Sequence, residues 1–199
     1  LFKQGLKVIE HPHLSRMQGL EQRYYIDALA YDKTYYRGVG AGLKSKINQA
    51  QTCIIHSANA QLVFSGGLEP AKLNVGDYRG MDNIGGMFPI GEVFTEAKNL
   101  ENVQGKVRIF AFGDTQFLVN RPATPITLVV EKGRVIQAVD STPEMDVVLD
   151  KIHTVEGEVW VRELGFGLNR AFNAQRITQD VGTYERMCGV HLSLGAKHM

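Results

Sequence analysis

Cysteine is scarce in this chain, and the two present, Cys53 and Cys188, stand far apart. That spacing excludes a CxxC redox or zinc motif and predicts two reduced, buried thiols in a cytoplasmic protein rather than a disulfide. No apolar run approaches the ~20 residues a bilayer span needs, and the opening LFKQGLKVIEHPH lacks the apolar core of a signal peptide, so no membrane partner is expected. An excess of either charge is missing too: 22 Lys and Arg stand against 21 Asp and Glu, a formal net charge of +1. Basic residues form no stripe interleaved with aromatics, which argues against a nucleic-acid partner. Repeats and low-complexity tracts are also absent.

Glycine, by contrast, is plentiful. The 21 glycines among 199 residues favour β-structure with many turns over a helical bundle. Hydrophobic and charged residues, at 44% and 22%, are in ordinary globular proportion. The length suits one sizeable core, so residues 1–199 are expected as one domain, with a helical lead-in over 1–50 and a sheet core over 51–199.

Along the chain, Leu6 to Ile9 reads as a short strand ended by HPH (11–13). Leu14 to Ala30 is helical in period, with Gly19 splitting it. Asp32 reads as the N-cap of a helix running to Gln49, with Tyr36, Val39, Leu43 and Ile47 on its buried stripe. Gly38, Gly40 and Gly42 inside it suggest close packing on a sheet. They do not make a phosphate loop, because no strand leads into RGVGAGLK and the third glycine is misplaced.

TCIIHS (52–57) and AQLVF (60–64) read as strands joined by Ala-Asn. Residues 68–86 read as one long loop, whose Asp77, Tyr78, Arg79 and Asp82 either line a site or are simply solvated. GKVRIFAF (105–112) and PITLVVEKGRVIQAV (125–139) alternate, with Lys132-Gly133 marking a hairpin turn. Thr142-Pro143 starts a helix with Met145, Val148, Leu149 and Ile152 inward. A strand over 158–164, the glycine-punctuated GFGLN (165–169) and a last strand over 189–195 complete an α+β pattern, with a curved, largely antiparallel sheet or half-barrel and flanking helices.

Three metal-capable side chains sit in or beside glycine-flanked β-runs. The stretch from Gly85 to Ala97 bends through two glycines and Pro89, then presents Glu92 where the chain stiffens. Parity over 158–164 puts Glu163 on the face of Val159 and Val161. A carboxylate there lies at the strand's wet end or is held by a partner such as Arg162 or Arg170. Over 189–195, His191 and Ser193 share one face, opposite Val190, Leu192 and Leu194. Singly these residues read as a loop-ending glutamate, an ion-paired glutamate and a hydrogen-bonded sheet histidine. Together, two carboxylates and an imidazole suit zinc, manganese or iron.

PIGEVFTEA (89–97), RELGFGLN (162–169) and GVHLSLG (189–195), in that order, resemble motifs of the thermophilic aminopeptidase family, the aminopeptidase T-like metallopeptidases. SANAQLVFSGG and KGRVIQAV resemble further segments of that family, and the likeness runs from about Gln51 to Gly195. The resemblance implies that Glu92 is a metal-binding or metal-bridging glutamate, Glu163 a second glutamate at the metals and His191 a metal ligand. It implies that the same three residues contact a bound peptide, and that the protein is a homodimer. The sequence also departs from the family pattern. Lys98 follows Ala97 where the family motif closes with proline. The later H-x-D ligand motif is missing before Met199, a family tyrosine has no counterpart near His198, and the family's amino-terminal α/β domain has no equivalent. The chain begins at Leu1, and the match corresponds to the metal-bearing C-terminal half, cut short. Two glutamates and one histidine could hold one metal ion.

These departures lead to an expected function: an aminopeptidase-derived, non-hydrolytic peptide-binding protein that holds or presents a peptide, such as a precursor peptide for a modifying enzyme. Its cofactor is then a divalent metal or none. The alternative is an active metal-dependent aminopeptidase, or a related single-metal enzyme such as a ring-opening dioxygenase. A third reading is an assembly subunit.

Overall fold

The computed structural model describes residues 4, 6–11, 14–79 and 84–197. Pro12 and His13 of the HPH turn, Asp82 of the long loop, and His198 lie outside the described residues.

Strand β1 (Lys7–Glu10) is followed by a 3-10 turn at Leu14–Arg16 and helix α1 (Leu20–Ala28), with Gly19 as the break between them. Helix α2 (Lys33–Gln49) starts where Asp32 accepts a hydrogen bond from the Tyr35 amide at 2.9 Å. Its inward face carries Tyr36, Gly40 and Ile47, whereas Val39 is exposed, which corrects the expected stripe by one residue. Gly40 explains the shift: a Cβ there would lie 2.7 Å from Val75, so α2 packs close at that point. Gly38 and Gly42 face open space.

A tight hairpin joins β2 (Thr52–Ser57) and β3 (Ala60–Ser65). The expected long loop over 68–86 contains two strands, β4 (Lys72–Asn74) and β5 (Ile84–Met87). Both are too short for periodicity to reveal. Asp77 in this segment pairs with Arg37 and Arg79, and Tyr78 donates to Asn74, so these side chains serve the loop itself. Then follow β6 (Glu92–Glu96), β7 (Val103–Ile109), β8 (Phe112–Gly113) and β9 (Val119–Asn120). Next, β10 (Ile126–Glu131) and β11 (Arg134–Val139) meet at Lys132-Gly133, both with positive φ, as a primed hairpin turn requires. Helix α3 (Pro143–Glu156) is capped by Thr142 and buries Met145. The chain closes with β12 (Val161–Gly167), the short helix α4 (Val181–Tyr184) and β13 (Gly189–Leu194). GFG is therefore strand, not a break after one. Cys53 and Cys188 are free thiols, but neither is fully buried: Cys53 is half-buried and Cys188 exposed.

The strands form a five-stranded sheet, β11-β10-β7-β3-β2, and a four-stranded sheet, β13-β12-β6-β4. Every strand pairing in both is antiparallel, whereas β1 pairs with β5 in parallel. Among the described residues no sheet closes into a barrel, and the fold is α+β. One hydrophobic cluster joins Leu62, Phe64, Ile126 and Leu128 of the larger sheet to Val93, Val161 and Leu164 of the smaller, together with Tyr36 and Ile47 of α2. The smaller sheet thus spends one face on the core. Its other face carries the candidate site. Among the described residues no helix is long and apolar enough to cross a membrane.

Candidate metal centre

Strand register brings the three sequence candidates together. Glu163 pairs across the ladder with Ser193, Gly165 with His191 and with Phe94, and Gly167 with Glu92. Directly opposed residues share a face, so Glu92, Glu163 and His191 lie on one face of the four-stranded sheet. Glu163 does not share that face with Val161. The register shifts between these two residues, pairing Val161 with Leu194 and Glu163 with Ser193. Such a bulge breaks strict alternation, and it turns Glu163 toward His191 while Val161 stays in the core.

Two glycines of β12 clear the ground on that face. A Cβ at residue 165 would lie 1.9 Å from His191 Nε2, so the imidazole lies directly over Gly165. A Cβ at residue 167 would lie 1.9 Å from the Met187 carbonyl oxygen, so the backbone after α4 also passes close to the sheet. At the start of β6, Gly91 has φ +121, and a Cβ there would meet Tyr36 at 2.8 Å. Leu168 donates to the Gly91 carbonyl and the buried Asn169 side chain to that of Ile90, which fixes the entry of Glu92. The Phe88–Pro89 peptide just before this entry is cis.

The resulting cluster is tight. One ligand atom each from Glu92, Glu163 and His191 falls within 4.8 Å of the others. His191 Nε2 lies 3.0 Å from Glu92 Oε1 and 3.7 Å from Glu163 Oε1. Ligands held about 2.1 Å from one ion stand about 3.0–3.6 Å apart at ordinary bond angles, so the 3.0 Å separation falls in this range and the 3.7 Å separation just beyond it. Among the described residues, neither ring nitrogen of the buried His191 imidazole makes an aligned hydrogen bond. Nε2 is near enough to both carboxylates to be attracted, but its N–H direction meets neither. Two carboxylate oxygens and one imidazole nitrogen gathered this closely fit zinc, manganese or iron. The ring is oriented by packing on Gly165 rather than by an acceptor at Nδ1, which is where a metal-binding histidine usually finds support. Glu163 is steadied by the Ser193 hydroxyl, which donates to Oε1 at 3.2 Å.

The electrostatics of the metal-free cluster follow. Burial works to lower the pKa of His191, but Glu163 and Glu92 outweigh it and hold the value up at about 9. For Glu163, burial pushes upward, and His191, Arg162 and Ser193 together bring the carboxyl below its ordinary value. Glu185, at the end of α4, is raised by burial, with Glu92 adding to the effect.

Glu185 and Arg186 are the residues that sequence reasoning missed. Arg186 is 3% exposed, and its Nη1 lies 3.0 Å from Glu92 Oε2 while also contacting the Glu185 carboxylate. The adjacent Glu-Arg pair five residues before His191 was the only sequence signal, and a loop ion pair has the same appearance. Glu96 is fully buried and directly opposite Glu163 in register, on the same polar face.

No protein-family model matches the chain, and no curated protein matches it. Solved structures with a similar fold include a 2,5-dihydroxypyridine dioxygenase from Pseudomonas putida KT2440, at TM-score 0.55 and 18% identity, covering 83% of this chain and 45% of that one. Wild-type AmpT from Thermus thermophilus is similar at TM-score 0.53 and 18% identity, covering 80% of this chain and 39% of that one. The likeness is one of fold. The chain spans less than half the length of either structure.

Proposed function

We propose that this chain is a divalent-metal protein whose ion is held by Glu92, Glu163 and His191, and that it works as a metal-dependent enzyme. The observation that carries this reading is His191 Nε2, buried without an aligned hydrogen bond among the described residues, with carboxylate oxygens at 3.0 and 3.7 Å. An ion bound there supplies a Lewis acid with positions left for water or a chelating substrate. The protein's part is to hold the ligands in place: Gly165 seats the imidazole, Ser193 steadies Glu163, and Arg186 engages the far oxygen of Glu92. Two chemistries suit such a centre, removal of an amino-terminal residue from a peptide and oxygenative ring opening. The motif resemblance supports the first, and the similar fold of a 2,5-dihydroxypyridine dioxygenase supports the second.

The test begins with the metal content of the purified protein after gel filtration. Zinc, manganese or iron should be retained stoichiometrically, and lost in both Glu163→Gln and His191→Ala. Release of amino acids from short peptides then assigns the first chemistry, and oxygen uptake with 2,5-dihydroxypyridine the second. Peptide binding by a protein that retains no metal would instead restore the non-hydrolytic peptide-holding role, which rests on the motif resemblance alone. The homodimer rests on the same resemblance and is tested by sedimentation equilibrium.

A further inference from the structure

Glu92 shows its two carboxylate oxygens to different partners. Oε1 lies 3.0 Å from His191 Nε2, and Oε2 lies 3.0 Å from Arg186 Nη1. The same Nη1 also contacts the Glu185 carboxylate, so one buried guanidinium sits between two acids. Its position is fixed by backbone as well as by charge. The Asn169 amide donates to the Arg186 carbonyl at 2.8 Å, the Arg186 amide donates to Thr183 at 3.3 Å, and Gly167 admits this segment against the sheet.

A carboxylate can hold one cation on each oxygen, and two neighbouring carboxylates facing each other make a ready second site for a hard divalent ion. Glu92 Oε2 and Glu185 would be such a pair if nothing stood between them. Arg186 stands there.

We propose that Arg186 is a built-in cation that fills the second cation position of this centre, so the site takes one divalent ion, on the His191 side of Glu92. This rests on the metal reading above and goes beyond it, since the three-ligand cluster says nothing of what occupies the Glu92–Glu185 side. Arg186 neutralises the acid that faces away from the ion and excludes a second ion from the Glu92–Glu185 side. A purely structural ion pair would contribute to stability without governing the metal count.

Calorimetric titration of the EDTA-stripped full chain with Zn²⁺, and in parallel with Mn²⁺, tests this. The wild-type chain should bind one ion. Arg186→Met should bind two, and the added ion should be lost again in Arg186→Met/Glu185→Gln. Arg186→Lys, which keeps the charge, should remain at one. Should the methionine variant fail to fold, Arg186→Gln keeps hydrogen-bond donors near Glu92 without the charge and is likewise expected to bind two. Two ions on the wild-type chain would overturn this inference and leave the metal reading standing, as would a folded, uncharged variant that still binds one. No ion on the wild-type chain would overturn both.

Discussion

At the residue scale, the centre depends on what is missing at Gly165 as much as on its ligands. Any side chain there occupies the space of the imidazole, since even a Cβ would come within 1.9 Å of Nε2. Gly165→Ala is therefore expected to weaken metal binding about tenfold or more while far-ultraviolet circular dichroism stays unchanged. A titration of the stripped protein reads this directly. His191 also gives the centre a pH signature. Its pKa in the metal-free fold is raised from 6.5 to about 9, so its contribution to stability is complete below about pH 6.5 and lost as the pH climbs through 9. A metal ion needs the neutral ring and competes with that proton, so its affinity increases over the same range. Melting temperatures measured in EDTA should fall between pH 6.5 and 9, and the difference between metal-loaded and stripped protein should widen. A difference that narrows with pH would remove His191 from the ligand set.

At the scale of elements, local signals were readable wherever a residue's chemistry closes a short backbone loop. Asp32 and Thr142 each cap a helix through the amide three residues on, as their sequence context implied. The turns at Ala58-Asn59 and Lys132-Gly133 join the strands expected from the β-like runs of 52–64 and the alternation of 125–139. Thr142→Ala should cost about 1 kcal/mol in urea unfolding and leave the metal count unchanged, because α3 holds none of the ligands. The bulge between Val161 and Glu163 was not readable. It depends on how β12 pairs with β13, a contact between distant segments, and without it parity assigns Glu163 to the wrong face. Strands β4 and β5 were hidden for a related reason: three or four residues held by pairing carry no period of their own.

At the scale of the whole molecule, the arrangement is two antiparallel sheets sharing one core, with the smaller sheet's outer face left for polar groups. The α+β class was legible from glycine content, alternation and two clear helix starts. The meeting of Glu92, Glu163 and His191 was not given by their spacing, since they lie on three strands whose register only the folded sheets define. Motif resemblance anticipated their grouping, and the geometry brings them within 4.8 Å of one another. Arg186 escaped notice because its importance lies in which carboxylates it faces.

The most direct test of the central claim is X-ray absorption at the edge of the metal retained by the purified protein. A shell of oxygen and nitrogen ligands with the multiple-scattering signature of one imidazole is expected, with that signature absent in His191→Ala. A sulfur shell pointing to Cys188, or an imidazole signature unchanged in His191→Ala, would contradict it.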